Sequence, residues 1–297
     1  MDLRQLEIFA KVAELGSFSR AAEALLLTQP TVSEHIRTLE DEFGVRLLDR
    51  LGRGAAVTRA GQLLLSHAQR MLALSREARQ AMEGFLGRMS GELQIGASTI
   101  PGEYILPALI GRFKEKLPDI SISLLIGDSQ TAIEWVAEGR AELGIVGARV
   151  PHRAVEYREL MPDDVVVVMP VTHPWHNRSQ IRLDELRAEP LLLRERGSGT
   201  RAALENALAD AHLDLRAFRV VGEMGSTQAV KQAVKAGVGV SVISRRAVEE
   251  ERRIGLLACA HIEDLKIARS FYLATNRERS RSPLAEAFRT FVETDAA

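Results

Sequence analysis

One cysteine in 297 residues, Cys259, leaves nothing from which to build an internal disulfide framework or a multi-cysteine metal site. Long apolar runs are also missing. No stretch approaches the roughly 20 residues that a bilayer span requires. The opening Met1-Asp2-Leu3-Arg4-Gln5 runs into a charged amphipathic segment rather than the uninterrupted apolar core of a secretory signal. The chain is therefore expected in the cytoplasm, with no membrane partner. Nor is there an excess of positive charge: 39 Lys and Arg stand against 40 Asp and Glu, for a formal net charge of -1. If nucleic acid is bound, the positive charge must be local. The G-x-S-x-G elbow, the Walker A loop, G-x-G-x-x-G and H-E-x-x-H are all absent, which argues against an enzyme and against a cofactor. What is present is ordinary for a globular chain, 46% hydrophobic and 27% charged, with length for two or three domains.

The first segment, 1–58, reads as three short helices and a wing. Asp2 caps a helix with Leu6, Phe9, Val12 and Ala13 on one face, and Gly16 ends it. Ser17 caps a second, with Phe18, Ala21, Ala22 and Leu25 pointing inward. Thr28 caps a third, with Pro30 in its first turn and Val32, Ile36, Leu39 and Phe43 along its length. Gly44 ends it, Leu47-Leu48 reads as a strand and Gly52-Arg53-Gly54 as the tip of the wing. From 59 to 89 the apolar period changes. Leu64, Ala68, Met71, Ser75, Ala78, Met82 and Phe85 alternate in steps of four and three, a heptad seam on a proline-free helix of about 30 residues. Such a helix lies either on its own domain or against a second copy. The second reading is favoured, because the segment before it looks too small to cover the whole seam.

From residue 90 strands and helices alternate. Strands are expected at 92–97, 120–126, 142–146, 165–169, 190–194, 218–221 and 240–244. Helices are expected at 103–116, 131–138, after Gly199 and after Thr227. Alternation of this kind implies a parallel sheet with right-handed crossovers, here restarting once to give two similar lobes. A final strand and helix, 267–274 and 284–292, would return to the first lobe. The expected division is lobe I at about 90–161 and 266–297, and lobe II at about 162–265.

Several motifs within 1–61 are dense and ordered. They are Leu6-Glu7-Ile8-Phe9, Gly16-Ser17-Phe18-Ser19-Arg20-Ala21-Ala22, Thr28-Gln29-Pro30-Thr31-Val32-Ser33, Ile36-Arg37-Thr38-Leu39-Glu40, Gly44 to Arg50, and Thr58-Arg59-Ala60-Gly61. In them the chain resembles the LysR-type transcriptional regulators. The resemblance implies an α/β fold class: an N-terminal winged helix-turn-helix, a long linker helix, and a two-lobed effector domain like the periplasmic binding proteins. It also implies homo-oligomerisation, as dimer or tetramer, and control of transcription, with RNA polymerase as a further partner.

In a helix-turn-helix the first residues of the second helix meet base edges in the major groove. Here these are Thr28, Gln29, Pro30, Thr31, Ser33 and, a turn on, Arg37. Gln29 has the donor-acceptor pair for adenine, and the Thr31 methyl or Pro30 ring suits a thymine methyl. Arg46, Arg50, Arg53 and Arg59 suit phosphates and a narrow minor groove beside the wing. A two-fold dimer would read an inverted repeat in double-stranded DNA. Taken singly, Gln29 and Thr31 fit a merely solvated helix end equally well, and Glu34 reads as a solvated acidic position.

Four helix starts in the C-terminal part carry small hydroxyl residues after a strand: Ser98-Thr99-Ile100, Ser129-Gln130-Thr131, Ser198-Gly199-Thr200 and Ser226-Thr227. Free N–H groups and partial positive charge make a helix start an anion site, and the carboxyl edge of an open α/β sheet holds ligands. Any one start is explained by capping alone. Their repetition on both lobes points to a small anionic effector between the lobes, with Arg149 and Arg201 as candidate charge partners. Residues 96–104 resemble relatives linked to sulfur and selenium oxyanion metabolism. The alternative is a solute-binding module fused to a DNA-binding part that does not respond to ligand. His173-Pro174-Trp175-His176 reads as a surface turn, and Cys259 as a structural thiol.

Overall fold

The computed structural model describes residues 1–51, 54–85 and 91–295. The expected wing tip at Gly52-Arg53, the DNA contacts of Arg50 and Arg53, and the Phe85 end of the seam concern residues or side chains outside that description. The chain divides into two compact units, Met1–Arg88 and, apart from Glu138–Arg140, Met89–Ala297.

In the N-terminal unit, Asp2 starts helix α1 (Leu3–Leu15) with a capping box, accepting from the Gln5 N–H at 2.8 Å while its own N–H reaches Gln5 Oε1 at 2.9 Å. Leu6, Phe9 and Val12 are buried, and Gly16, at φ 59°, stops the helix in the left-handed conformation that glycine takes without strain. Ser17 caps α2 (Phe18–Ala24), whose buried Ala21 and Ala22 let α3 (Gln29–Phe43) approach closely. Strands β1 (Leu48–Leu51) and β2 (Gly54–Val57) form an antiparallel ribbon. Glu40 on α3 ties that ribbon down, its Oε1 accepting from the N–H groups of Leu47 and Leu48 at 2.8 and 3.1 Å.

Helix α4 (Arg59–Phe85) packs on this unit through its first half. A Cβ at Gly61 would overlap the Leu47 carbonyl, so only glycine allows the helix to sit this close to the ribbon. Ala68 is fully buried, and Leu64, Met71 and Leu72 pack against the core formed by α1 to α3. Leu64, Ala68 and Met71, the start of the expected heptad seam, therefore cover their own domain. The three short helices cannot enclose their apolar faces alone. Leu63, Leu74 and Met82 remain exposed on α4.

The C-terminal unit contains two mixed sheets. The first part of this unit supplies β3 (Gly91–Ser98), α5 (Thr99–Tyr104), α6 (Leu106–Lys116), β4 (Ile120–Gly127), α7 (Ser129–Glu138), β5 (Leu143–Val146) and β6 (Val155–Pro162). The middle supplies β7 (Val165–Pro170), β8 (Gln180–Ile181), α8 (Leu183–Ala188), β9 (Leu191–Arg194), α9 (Gly199–Asp210), β10 (Val220–Met224), α10 (Thr227–Lys235), β11 (Val240–Ser244), α11 (Glu249–Arg253) and β12 (Leu257–Ile262). Then β13 (Ser270–Asn276) returns to the first sheet, whose order is β4-β3-β5-β13-β6, and α12 (Pro283–Asp295) follows. The second sheet runs β10-β9-β11-β7-β12-β8. On α12, Phe288 meets Phe113 of α6 edge to face at 5.0 Å.

The structure departs from the sequence expectation in several places, and it adds the short strand β8 and helix α8 between β7 and β9, where no element was expected. The parallel pairs are those with helices between their strands in the chain: β3 with β4 and β5, β9 with β10 and β11, and β8 with β12. Strands β13 and β7 arrive from the other sheet without such a crossover and pair antiparallel to their neighbours. The helix expected at 103–116 is two helices that break at Ile105. Pro107, lacking an N–H, sits in the first turn of α6. Strands β6 and β12 were not anticipated, because β6 carries Glu156, Arg158 and Glu159 among its apolar residues and masks its own alternation.

Candidate functional site

On α3 the exposed first turn presents Gln29 and Pro30, with Thr31 and Ser33 half-buried beside them and Arg37 exposed a turn on. Thr28 is the cap: its Oγ1 accepts from the Thr31 N–H at 3.3 Å and lies 2.8 Å from Thr31 Oγ1. Gln29 Nε2 donates to Ser33 Oγ at 2.8 Å, so the amide is already aimed along the helix face. Val32, Ile36 and Leu39 turn inward and fix which side of α3 faces out. Thr58 donates to the carbonyl of exposed Arg46 at 2.8 Å and accepts from Gly61 N–H at 3.0 Å, joining the ribbon to α4.

In the C-terminal unit the carboxyl ends of β3, β4 and β9 converge on one cavity of about 10 Å³, room for a single water. From the first lobe come Ser98, Thr99 and Ile100, with Asp128 and Ser129; from the second come Arg194, Ser198, Gly199 and Thr200; Arg269 enters just before the returning strand β13. Side chains fill the space between the lobes. A Cβ on Gly199 would lie 2.8 Å from both the Gly147 backbone and Ser129 Oγ.

Two buried guanidiniums dominate the charge. Arg194 grips Glu195 bidentately, Nε to Oε2 at 2.7 Å and Nη2 to Oε1 at 2.6 Å. It also donates to Thr227 Oγ1 and, across the cleft, to Thr99 Oγ1 at 3.3 Å. Arg269 pairs with Asp163 at 2.6 Å and donates to the Gly147 carbonyl at 3.3 Å. Asp163 accepts a further bond from Ser244 Oγ at 2.7 Å. Burial pushes the Asp163 carboxyl above its ordinary range, against the pull of Arg269, and burial pulls the Arg269 guanidinium down from its ordinary value. Both shifts mark a pair whose desolvation outweighs its attraction. Ser129 Oγ is buried at this site with no hydrogen-bond partner among the described residues.

Of the hydroxyl residues singled out from sequence, Ser98, Thr99, Ser129, Ser198 and Thr200 line the cavity together with Ile100, and Thr227 joins it through Arg194. Ser226 does not line it: its Oγ caps α10, accepting from the Ala229 N–H at 3.1 Å. Thr131 also lies off the cavity, its N–H bonded to Asp128 Oδ1 at 2.7 Å. Arg149 sits over the Tyr272 ring, and Arg201 pairs with Glu205 and Glu223. The guanidiniums at the cavity are Arg194 and Arg269 instead. Arg194 left a sequence signal, a charge at the end of the buried run Leu191-Leu192-Leu193. Arg269 left none. Elsewhere, His173 stacks edge-on against buried Trp175. Cys259 lies in β12, where burial pushes its thiol up to about 11, so it stays protonated at neutral pH.

Two family models match the chain. The bacterial regulatory helix-turn-helix protein, lysR family, matches residues 3–62, and the LysR substrate binding domain matches residues 86–297. The chain belongs to the LysR family: it is a DNA-binding transcriptional regulator whose DNA binding is modulated by a small molecule taken up in the C-terminal unit. Among its relatives, the "Probable RuBisCO transcriptional regulator" of Trichormus variabilis is 35% identical over 289 residues, 96% of this chain and 86% of that protein. The HTH-type transcriptional activator CmpR of Synechocystis is 34% identical over 286 residues, 96% of this chain and 93% of that protein. Of solved structures, the Synechocystis CcmR regulatory domain in complex with 2-PG is 28% identical with a TM-score of 0.64, covering 70% of this chain and 98% of that one.

Proposed function

We propose that this regulator senses a small anion held between the two lobes of its C-terminal unit. The observation that carries the reading is one cavity holding two buried guanidiniums and the orphaned Ser129 hydroxyl, at the N-terminus of α9. Donors outnumber apolar lining here, which suits a compact charged ligand rather than an apolar one. The CcmR regulatory domain, a structural neighbour of this unit, is solved in complex with 2-PG, which supports a small ligand for the C-terminal unit. The site takes part in binding and not in chemistry, so the protein is no enzyme. Titration with 2-PG and with inorganic sulfate tests the reading. Thr99→Ala and Thr200→Ala are each expected to weaken anion binding by about 1–3 kcal/mol while leaving ligand-free operator affinity unchanged. Unchanged anion affinity in both variants would move the site elsewhere.

On the DNA side, Gln29, Pro30, Thr31, Ser33 and, a turn on, Arg37 read bases, while Arg46 meets phosphates. The exposed Leu63, Leu74 and Met82 of α4 support a homodimer reading an inverted repeat, the arrangement from which RNA polymerase is contacted. Gln29→Ala is expected to weaken specific operator binding by about 1–3 kcal/mol and to leave binding to random DNA nearly intact. Mobility-shift titrations on the operator and on a scrambled duplex separate the two. Equal losses on both would remove the base-contact role.

A further inference from the structure

The charges around the cleft do not leave an obvious place for an anion. Arg194 is neutralised by Glu195 and Arg269 by Asp163, and the remaining charged residue lining the cavity is Asp128, itself an anion. An incoming anion must therefore displace one carboxylate, because a further negative charge in a desolvated site with no free cation is strongly disfavoured.

The two carboxylates are not equally free to leave. Asp163 has a fully buried side chain, accepts from both Arg269 and Ser244, and is tied through its own N–H to the Arg269 carbonyl at 2.9 Å. Glu195 is different. Its side chain is 23% exposed and does not itself line the cavity, and the side-chain bonds it makes are those to its chain neighbour Arg194. A χ rotation carries it into water without breaking any other contact the structure shows. The fork it vacates is fixed by Thr99 and Thr227, so Arg194 stays aimed across the cleft when the carboxylate goes.

Resting on the anion reading above, we propose that Glu195 is a built-in competitor for the effector: its carboxylate occupies the Arg194 fork, and an anionic effector binds by taking its place. Glu195 then sets both the affinity and the charge that a ligand must bring. A ligand pairing with Arg194 has to outcompete a carboxylate already in bidentate geometry, which favours phosphoryl or carboxylate groups over weakly coordinating monoanions such as chloride. The apparent affinity is lowered by the fraction of molecules in which Glu195 has left the fork.

The full-length protein and its Glu195→Gln and Glu195→Ala variants, titrated calorimetrically with 2-PG and with inorganic phosphate at constant ionic strength, test this. Both variants are expected to bind at least about tenfold more tightly than the parent, since each removes the competing charge. Thermal melts without anion show whether the variants are folded; the partial exposure of Glu195 makes the isosteric Gln change safe. If the parent binds and both variants bind equally or more weakly, Glu195 positions Arg194 rather than competing for it, and the proposal fails while the anion site stands. If the variants bind anions that the parent does not detectably bind, the competitor role holds. If neither the parent nor the variants respond to any anion, the anion reading fails and takes the proposal with it.

Discussion

Asp163→Ala should destabilise the C-terminal unit by about 3–5 kcal/mol, because it strands the Arg269 guanidinium, 3% exposed, without a counter-charge. Arginine does not release its proton in the accessible pH range, so the stranded charge brings the variant no pH dependence of its own between pH 5 and pH 8. Arg269→Met leaves the opposite charge behind, and that charge can be neutralised. Burial already pushes the Asp163 carboxyl up, with Arg269 as the largest opposing influence. Without that arginine the folded chain holds a proton on Asp163 that the unfolded chain, with an ordinary aspartate pKa near 3.9, gives up. Stability of Arg269→Met should therefore be greatest below the unfolded value and fall as pH rises through the raised folded one. Urea denaturation of the parent and both variants from pH 4.5 to 8 would show Asp163→Ala losing no more stability than the parent as pH rises, and Arg269→Met losing more. Parallel profiles would mean that Asp163 is not carrying the charge. The pair lies where the chain crosses between the sheets, with Asp163 between β6 and β7 and Arg269 just before β13.

The helix-turn-helix was legible because its signals are local. Asp2, Ser17 and Thr28 cap their helices, Gly16 and Gly44 end them, and the inward apolar residues recur at helical spacing. The linker helix was legible as a helix but not in its partner. A heptad pattern says that a face is apolar, not what covers it, and Leu64, Ala68 and Met71 turn out to cover their own domain. In the C-terminal unit the helix starts could be read because a hydroxyl after a strand is a local event, and most of them meet at one cavity. The charges that give that cavity its chemistry were not readable in the same way. Arg269 and Asp163 are 106 positions apart and meet because two crossover segments run side by side. Strand order decides that, and strand order is not a local property.

Arg194→Met should abolish most of the anion affinity, by about 2–5 kcal/mol, or roughly thirtyfold to several thousandfold. Arg201→Met and Arg149→Met should leave it nearly unchanged. All three are arginines near the lobes in sequence, and local charge does not separate them. Their partners do. Arg201 is held by Glu205 at 2.8 Å and by Glu223, and Arg149 lies 5.2 Å above the Tyr272 ring. Arg194 alone of the three lines the cavity, reaching Thr99 across the cleft and Thr227 behind it. Methionine keeps most of the stem volume, so the loss reads the guanidinium rather than a cavity. The substitution also frees Glu195, which on its own would favour anion entry, so the measured loss is a lower bound on what the guanidinium contributes. Arg194→Lys separates charge from geometry: an ammonium supplies the charge but not the planar fork, and should recover only part of the affinity. Calorimetry with 2-PG on these four variants decides the matter. Full retention in Arg194→Met would leave Arg269 as the one guanidinium holding the ligand.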